Sequence, residues 1–130
     1  MVKQLGKEVN MNDTLIKYVE NENGERCGVV AGVLDGNTVK IGWSHCVVKK
    51  DHFDKKRGLK IAKGRALAGS TVKIPPVVMD AISDGFFWKR CIKYFRQAKF
   101  IQYCFTVPEA ITQDHRDRAN EPKEKVEEEG

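Results

Sequence analysis

Two clusters of cations are the residues in this sequence best placed to do chemistry. Lys55, Lys56, Arg57, Lys60, Lys63 and Arg65 fall within "DHFDKKRGLKIAKGRA" (residues 51–66), and Lys89, Arg90, Lys93 and Arg96 within "GFFWKRCIKYFRQAKF" (residues 85–100). Lysine and arginine neutralise phosphates and release condensed counterions, a mode of binding that needs no base-specific geometry. Lys56, Lys60 and Lys63 stand at i, i+4 and i+7, and so do Lys89, Lys93 and Arg96, so each set forms one stripe if its segment is helical. Placed side by side, the two stripes would make a phosphate-binding surface. Lysine stripes are also what solvated helix faces ordinarily carry. Trp43, Trp88, Tyr94 and Tyr103 could stack on bases where exposed, although large aromatics more often belong to the core.

Other chemistries have thinner support. The sequence contains no GxxxxGK[ST] loop, GxGxxG fingerprint, GxSxG elbow or HExxH helix. Ser44-His45-Cys46 puts nucleophiles beside a histidine. Neighbours on a strand point to opposite faces, however, so His45 and Cys46 are poorly placed to pair. His45, Cys46 and His52 lie close in sequence, and Cys27, Cys91 or Cys104 could complete a zinc site. The paired, closely spaced ligands of structural zinc are missing. The expectation is a non-enzymatic protein with no catalytic residue, no metal and no cofactor.

The charge is segregated. Residues 1–39 carry a net −2, residues 40–100 a net +11 and residues 108–130 a net −4, within a total of +5. Confinement of positive charge to the middle of the chain is an argument for a polyanionic partner. No helix-turn-helix, zinc-finger or RNP1 pattern accompanies it, so sequence-specific readout is not indicated.

At 130 residues, 41% of them hydrophobic, the chain should form one domain with a modest core. No apolar run approaches the roughly 20 residues that span a bilayer. The first residues lack the continuous apolar segment of a signal peptide, which points to the cytoplasm. Cys27, Cys46, Cys91 and Cys104 form no CxxC pair and each sits beside apolar residues, as buried thiols do.

The elements that must position the cations read as follows. "TLIKYVE", "ERCGVVAGVL" and "TVKIGWSHCVV" are strand-like, separated by the turn signals "NENG" and Asp35-Gly36-Asn37. Val39, Ile41, Trp43 and His45 alternate with Thr38, Lys40, Gly42 and Ser44, which predicts one buried face carrying Trp43. Asp51 or Asp54 can cap a helix covering part of 52–68, with Phe53, Leu59, Ile61, Ala62, Ala66 and Leu67 as its apolar side. Gly58 and Gly64 weaken that helix, and they point to close packing or a break. Pro75 stops the helix and Pro76 suits the first position of a new one. Helix is predicted at 77–83 and 86–99 with an interruption at Gly85. Phe87, Cys91, Tyr94, Phe95 and Ala98 share one side of the second segment. "FIQYCFTV" reads as a last strand, and 109–130 as a charged, helix-prone but largely disordered tail. The fold expected is α+β: residues 1–108 as a single domain, a small antiparallel sheet with two helices packed on it, and an SH3-like barrel as one form the sheet could take.

Residues 39–66, "VKIGWSHCVVKKDHFDKKRGLKIAKGRA", resemble a segment of small uncharacterised proteins of tailed bacteriophages. These combine a strand ending in "GWS.C" with an "F.K..G..IA.GRA" helix. The matching positions are Gly42, Trp43, Ser44, Cys46, Phe53, Lys55, Gly58, Ile61, Ala62, Gly64, Arg65 and Ala66. The resemblance covers about a fifth of the chain. It implies a virus-encoded protein acting in the cytoplasm of a bacterial host, on nucleic acid or on a host enzyme or defence system.

The function expected is therefore non-enzymatic, largely sequence-independent binding of DNA or RNA through the phosphate backbone. Lys55, Lys56, Arg57, Lys60, Lys63, Arg65, Lys89, Arg90, Lys93 and Arg96 would carry it. The alternative is an inhibitor whose basic face docks on an acidic host protein. A nucleotide-like small ligand is a third reading.

Overall fold

Short turns built from asparagine and glycine set the register of the first three strands. The structure is a computed structural model and describes residues 14–47, 52–83 and 87–120. Strand β1 (Thr14–Glu20) turns through Asn21–Gly24 into β2 (Arg26–Asp35). The Asn21 side-chain oxygen accepts from the backbone N–H groups of Asn23 and Glu25, and Gly24 takes a positive φ of 80°. β2 turns through Gly36 and Asn37 into β3 (Thr38–His45), and Gly36 supplies the left-handed conformation (φ 65°) that a two-residue hairpin loop requires. Asp35 faces Thr38 across that hairpin and pairs with Lys40 at 2.9 Å.

After β3 the chain passes through α1 (Lys55–Ala68), α2 (Pro76–Ser83) and α3 (Phe87–Tyr94). It then returns as β4 (Phe100–Tyr103), parallel to β3, with Thr38 opposite Phe100 and Ile41 opposite Tyr103. β5 (Glu109–Ala110) closes the order β1-β2-β3-β4-β5 antiparallel to β4, and α4 (Gln113–Ala119) packs on α3. The fold is α+β.

The sheet is mixed rather than wholly antiparallel. Among the described residues it is open, with β1 and β5 at its edges, so it is no closed SH3-like barrel. The described residues hold four helices, against helical segments expected within 52–68, at 77–83 and at 86–99 and two helices expected on the sheet. β5 and α4 lie in the stretch expected to be tail. Tertiary contacts hold them there: the Arg116 guanidinium donates to the Ala98 carbonyl at 2.6 Å, Ala119 is buried, and the His115 ring meets Trp88 edge-on at 5.9 Å. The proposed cap Asp51, the break at Gly85, the first thirteen residues and tail residues 121–130 lie outside the described residues.

Helices cover both faces of the sheet. Val30, Gly32, Val39, Ile41 and Trp43 face α2 and α3, where they join Val78, Ile82, Phe87, Cys91, Phe95 and Ala98 in the main core. Val29, Ala31, Gly42 and Ser44 face α1. β3 is thus buried on both sides, which corrects the expectation of a single buried face. Gly42 and Ser44 are short because α1 lies directly on them, and a Cβ at Gly42 would run into the backbone of Ala62 and Ala66. No helix among the described residues is long and apolar enough to cross a membrane.

Candidate nucleic-acid interface on helix α1

Helix α1 begins where Asp54, in extended conformation, accepts a hydrogen bond from the Arg57 backbone N–H at 3.2 Å. Phe53, just before the cap, packs edge-on against Tyr18 at 6.2 Å and lies over Gly58. The helix ends at Gly69, whose positive φ of 83° accompanies a bond from its N–H to the Arg65 carbonyl. Its buried stripe is Gly58, Ala62 and Ala66, three small residues at i, i+4 and i+8 that bring the helix close to β2 and β3. Ile61 (38% exposed) and Leu67 (43% exposed) were expected on the apolar side and instead face solvent. With the buried stripe fixed at 58, 62 and 66, the 100° step per residue puts Arg57, Lys60 and Gly64 on the opposite side.

The outward side is strongly cationic. Lys55, Lys56, Arg57 and Lys60 are exposed and Lys63 is half-buried. The helix contains no acidic residue, and none of these five cations forms an ion pair with another described residue. Arg65 differs from them. It is half-buried, its guanidinium lies 4.3 Å from the centre of the Trp43 ring, and its Nη1 donates to the Trp43 carbonyl at 3.0 Å. β4 pairs with β3 only as far as Ile41, so Arg65 satisfies the carbonyl of Trp43 just beyond that ladder.

The second cluster lies elsewhere. α3 packs on the opposite face of the sheet from α1, so the two stripes do not lie side by side. α3 ends at Tyr94, so Arg96 falls in the turn after it and does not extend a helical stripe through Lys89 and Lys93. Arg90, Lys93 and Arg96 are exposed. Lys89 is half-buried, with its ammonium 5.7 Å from the Trp88 ring. Tyr94 is 48% exposed rather than part of the buried side: it falls between Arg90 and Phe87 around the helix, at the margin of the buried stripe of Phe87, Cys91 and Ile92, and meets Phe95 edge-on at 4.9 Å.

The other stacking candidates are occupied. Trp43 is buried. Trp88 is half-buried between His115 and Arg118, and Tyr103 stacks on Phe105 at 5.7 Å. Burial pushes the Tyr103 phenol up to about 12, helped by the nearby Cys91 and Glu109.

None of the four cysteines is in a disulfide; Cys27, Cys91 and Cys104 are buried and Cys46 is half-buried. Burial raises the Cys27, Cys91 and Cys104 thiols above their ordinary value. At Cys104 the rise is opposed by Arg65, by its backbone N–H and by the Trp43 indole. Raised thiols are poor nucleophiles at neutral pH. Ser44, His45, Cys46, His52, Asp54 and Arg57 line a cavity of about 330 Å³ beside the N-terminus of α1. Among the described residues no three histidine, cysteine or acidic side chains converge as metal ligands.

The chain matches no protein-family model, no curated protein and no solved structure.

Proposed function

We propose that this protein binds nucleic acid without chemical turnover, through contacts from the outer side of α1 to the phosphate backbone. The supporting observation is a 14-residue helix that carries five outward or half-outward cations, no acidic residue and no ion pair to a described neighbour. Surface lysines with nearby carboxylates have their field cancelled locally. Here the segment from Asp54 to Ala68 carries one carboxylate against six cations, so most of the field is left uncompensated, which is the electrostatic footprint of a polyanion site. Lys55, Lys56, Arg57, Lys60 and Lys63 form the binding set. Arg65 supports the fold. Lys89, Arg90, Lys93 and Arg96 belong to a different face and cannot share the same short duplex segment with α1. The bacteriophage resemblance supports the reading that this activity serves a virus in the cytoplasm of a bacterial host.

The test is a salt titration. With about three to five phosphates neutralised, log affinity against log salt should slope at roughly −2.5 to −4.5 on duplex DNA. Changing Lys56, Lys60 or Lys63 to alanine should make the slope shallower by about one unit each and weaken all sequences alike. The same changes in α3 should leave the slope unaltered. An inhibitor docking by this basic face would be salt-sensitive toward one acidic protein and indifferent to DNA and RNA. Absence of binding tighter than about 100 μM to DNA or RNA at physiological salt refutes the nucleic-acid reading.

A further inference from the structure

Gly64 stands in the interior of α1, where glycine is the poorest residue after proline, and nothing among the described residues accounts for it. Its φ is not positive, and a Cβ built on it would meet no atom within 4 Å. The other glycines packed against α1 are explained by their surroundings. A Cβ on Gly42 would strike the α1 backbone, and one on Gly58 would press on Phe53, Ser44 and Val29 at 3.2–3.3 Å. Gly64 lies at the centre of the outward side. Lys60 and Arg57 stand one and two turns before it, and Ile61 and Leu67 sit three residues to either side. A bare backbone at the middle of a cationic helical face is the place for close approach by something outside the chain.

We infer that this partner is double-stranded, B-form DNA, with α1 lying in the major groove and Gly64 as the point of closest approach. The inference rests on the nucleic-acid reading above. α1 is the only helix packed on its face of the sheet among the described residues, so no neighbouring helix blocks its outward side. A helix is about 10–12 Å across with its side chains, and the B-DNA major groove is about 12 Å wide. A side chain at position 64 would hold the helix axis off the groove floor. Arg57 and Lys60, on the same line as Gly64, then follow the groove, while Lys56 and Lys63 on one flank are placed to reach the phosphates of the adjoining strand. Single strands fit less well, because α1 has no aromatic residue on which bases could stack. An A-form RNA duplex fits less well too, since its major groove is too narrow for side chains to read.

Gly64→Ala and Gly64→Gln separate this from a purely structural role, because folding and binding move in opposite directions. Both substitutions introduce better helix formers at an open position, so the melting temperature should rise. Affinity for a 20-base-pair duplex should fall, several-fold for alanine and at least about tenfold for glutamine. A glutamine variant that binds duplex within about twofold of wild type, while Lys60→Ala weakens it, overturns the groove inference and leaves the nucleic-acid reading standing. Tighter binding to single-stranded DNA or RNA than to duplex of the same length and salt likewise overturns the choice of duplex alone. Failure of the wild-type protein to bind any of the three overturns both.

Discussion

Arg65 holds Trp43 by two of its atoms at once: its guanidinium lies 4.3 Å over the centre of the indole ring, and its Nη1 donates to the carbonyl of the same residue at 3.0 Å. A hydrogen bond from a charged donor contributes about 1.5–3 kcal/mol, and a partly desolvated cation–π contact about 1 kcal/mol. Arg65→Ala should therefore cost roughly 2–4 kcal/mol of folding stability by chemical denaturation. Arg65→Lys keeps the charge but not the planar fork, and should recover less than half of that. Nucleic-acid affinity, measured where the variants remain folded, should be unchanged. A loss matching that of Lys60→Ala would return Arg65 to the binding set.

Removal of the chain beyond Pro108 should damage the fold, and removal beyond Asn120 should not. The longer cut deletes β5 from the edge of β4, takes the partly buried Ile111 from the main core, and removes the Arg116 bond to the Ala98 carbonyl. One buried aliphatic side chain and one charged hydrogen bond together contribute about 3–5 kcal/mol, enough to lower the melting temperature by roughly 10 °C or more. Equal melting temperatures for the two truncations would show that α4 adds nothing. Arg116→Ala alone should account for about half of the loss.

The hairpin at Gly36-Asn37, the strands on either side of it and the helix start at Pro76 were legible because each rests on local chemistry: positive-φ residues, alternation and a missing N–H. The Gly58 hint of close helix–sheet contact was also sound, since that glycine lies under Phe53 and against Val29. The parallel pairing of Phe100–Tyr103 with Thr38–Ile41 was not legible, because no local signal specifies a partner some sixty residues away. α4 has no apolar periodicity, and its capping box uses Thr112 with His115 in place of the glutamate or glutamine that the usual signature requires. Half of the candidate site was visible. The cations of α1 follow from their spacing, but their separation from those of α3 depends on which face of the sheet each helix covers. The stripe of Gly58, Ala62 and Ala66 could have identified the outward position of Gly64, had small residues rather than Ile61 and Leu67 been taken as the buried side.

Two glycines on the sheet–α1 contact should respond differently to alanine. At Gly42 the added carbon meets the backbone of Ala62 and Ala66, which can move only by shifting the whole helix. Overpacking of that kind costs about 3 kcal/mol or more. At Gly58 the neighbours are side-chain atoms at 3.2–3.3 Å that can give by a few tenths of an ångström, and better helix propensity offsets the crowding by about 1 kcal/mol. Gly42→Ala should therefore be severely destabilised, by urea or heat, and Gly58→Ala nearly neutral. The reverse order would mean that α1 does not seat on β3 through Gly42.

Stability should fall above about pH 9, and Cys91 should account for part of the fall. Burial raises the Cys91 thiol well above its ordinary value of 9.0, and raises the Tyr103 phenol from 10.0 to about 12. Both groups are neutral when protonated, so the fold favours the protonated form. Their contribution is fully present below pH 9. As the pH rises past 9.0 the unfolded chain loses the Cys91 proton while the folded chain keeps it, and stability drains away. Tyr103 adds to the loss between 10.0 and about 12. The informative quantity is the difference between wild type and Cys91→Ser, in which position 91 no longer titrates. The serine variant should be the less stable of the two at pH 8, and the gap should narrow steadily toward pH 10.5. A gap that stays constant across that range would show that the Cys91 thiol ionises equally in folded and unfolded chains, contrary to its burial between α3 and the sheet.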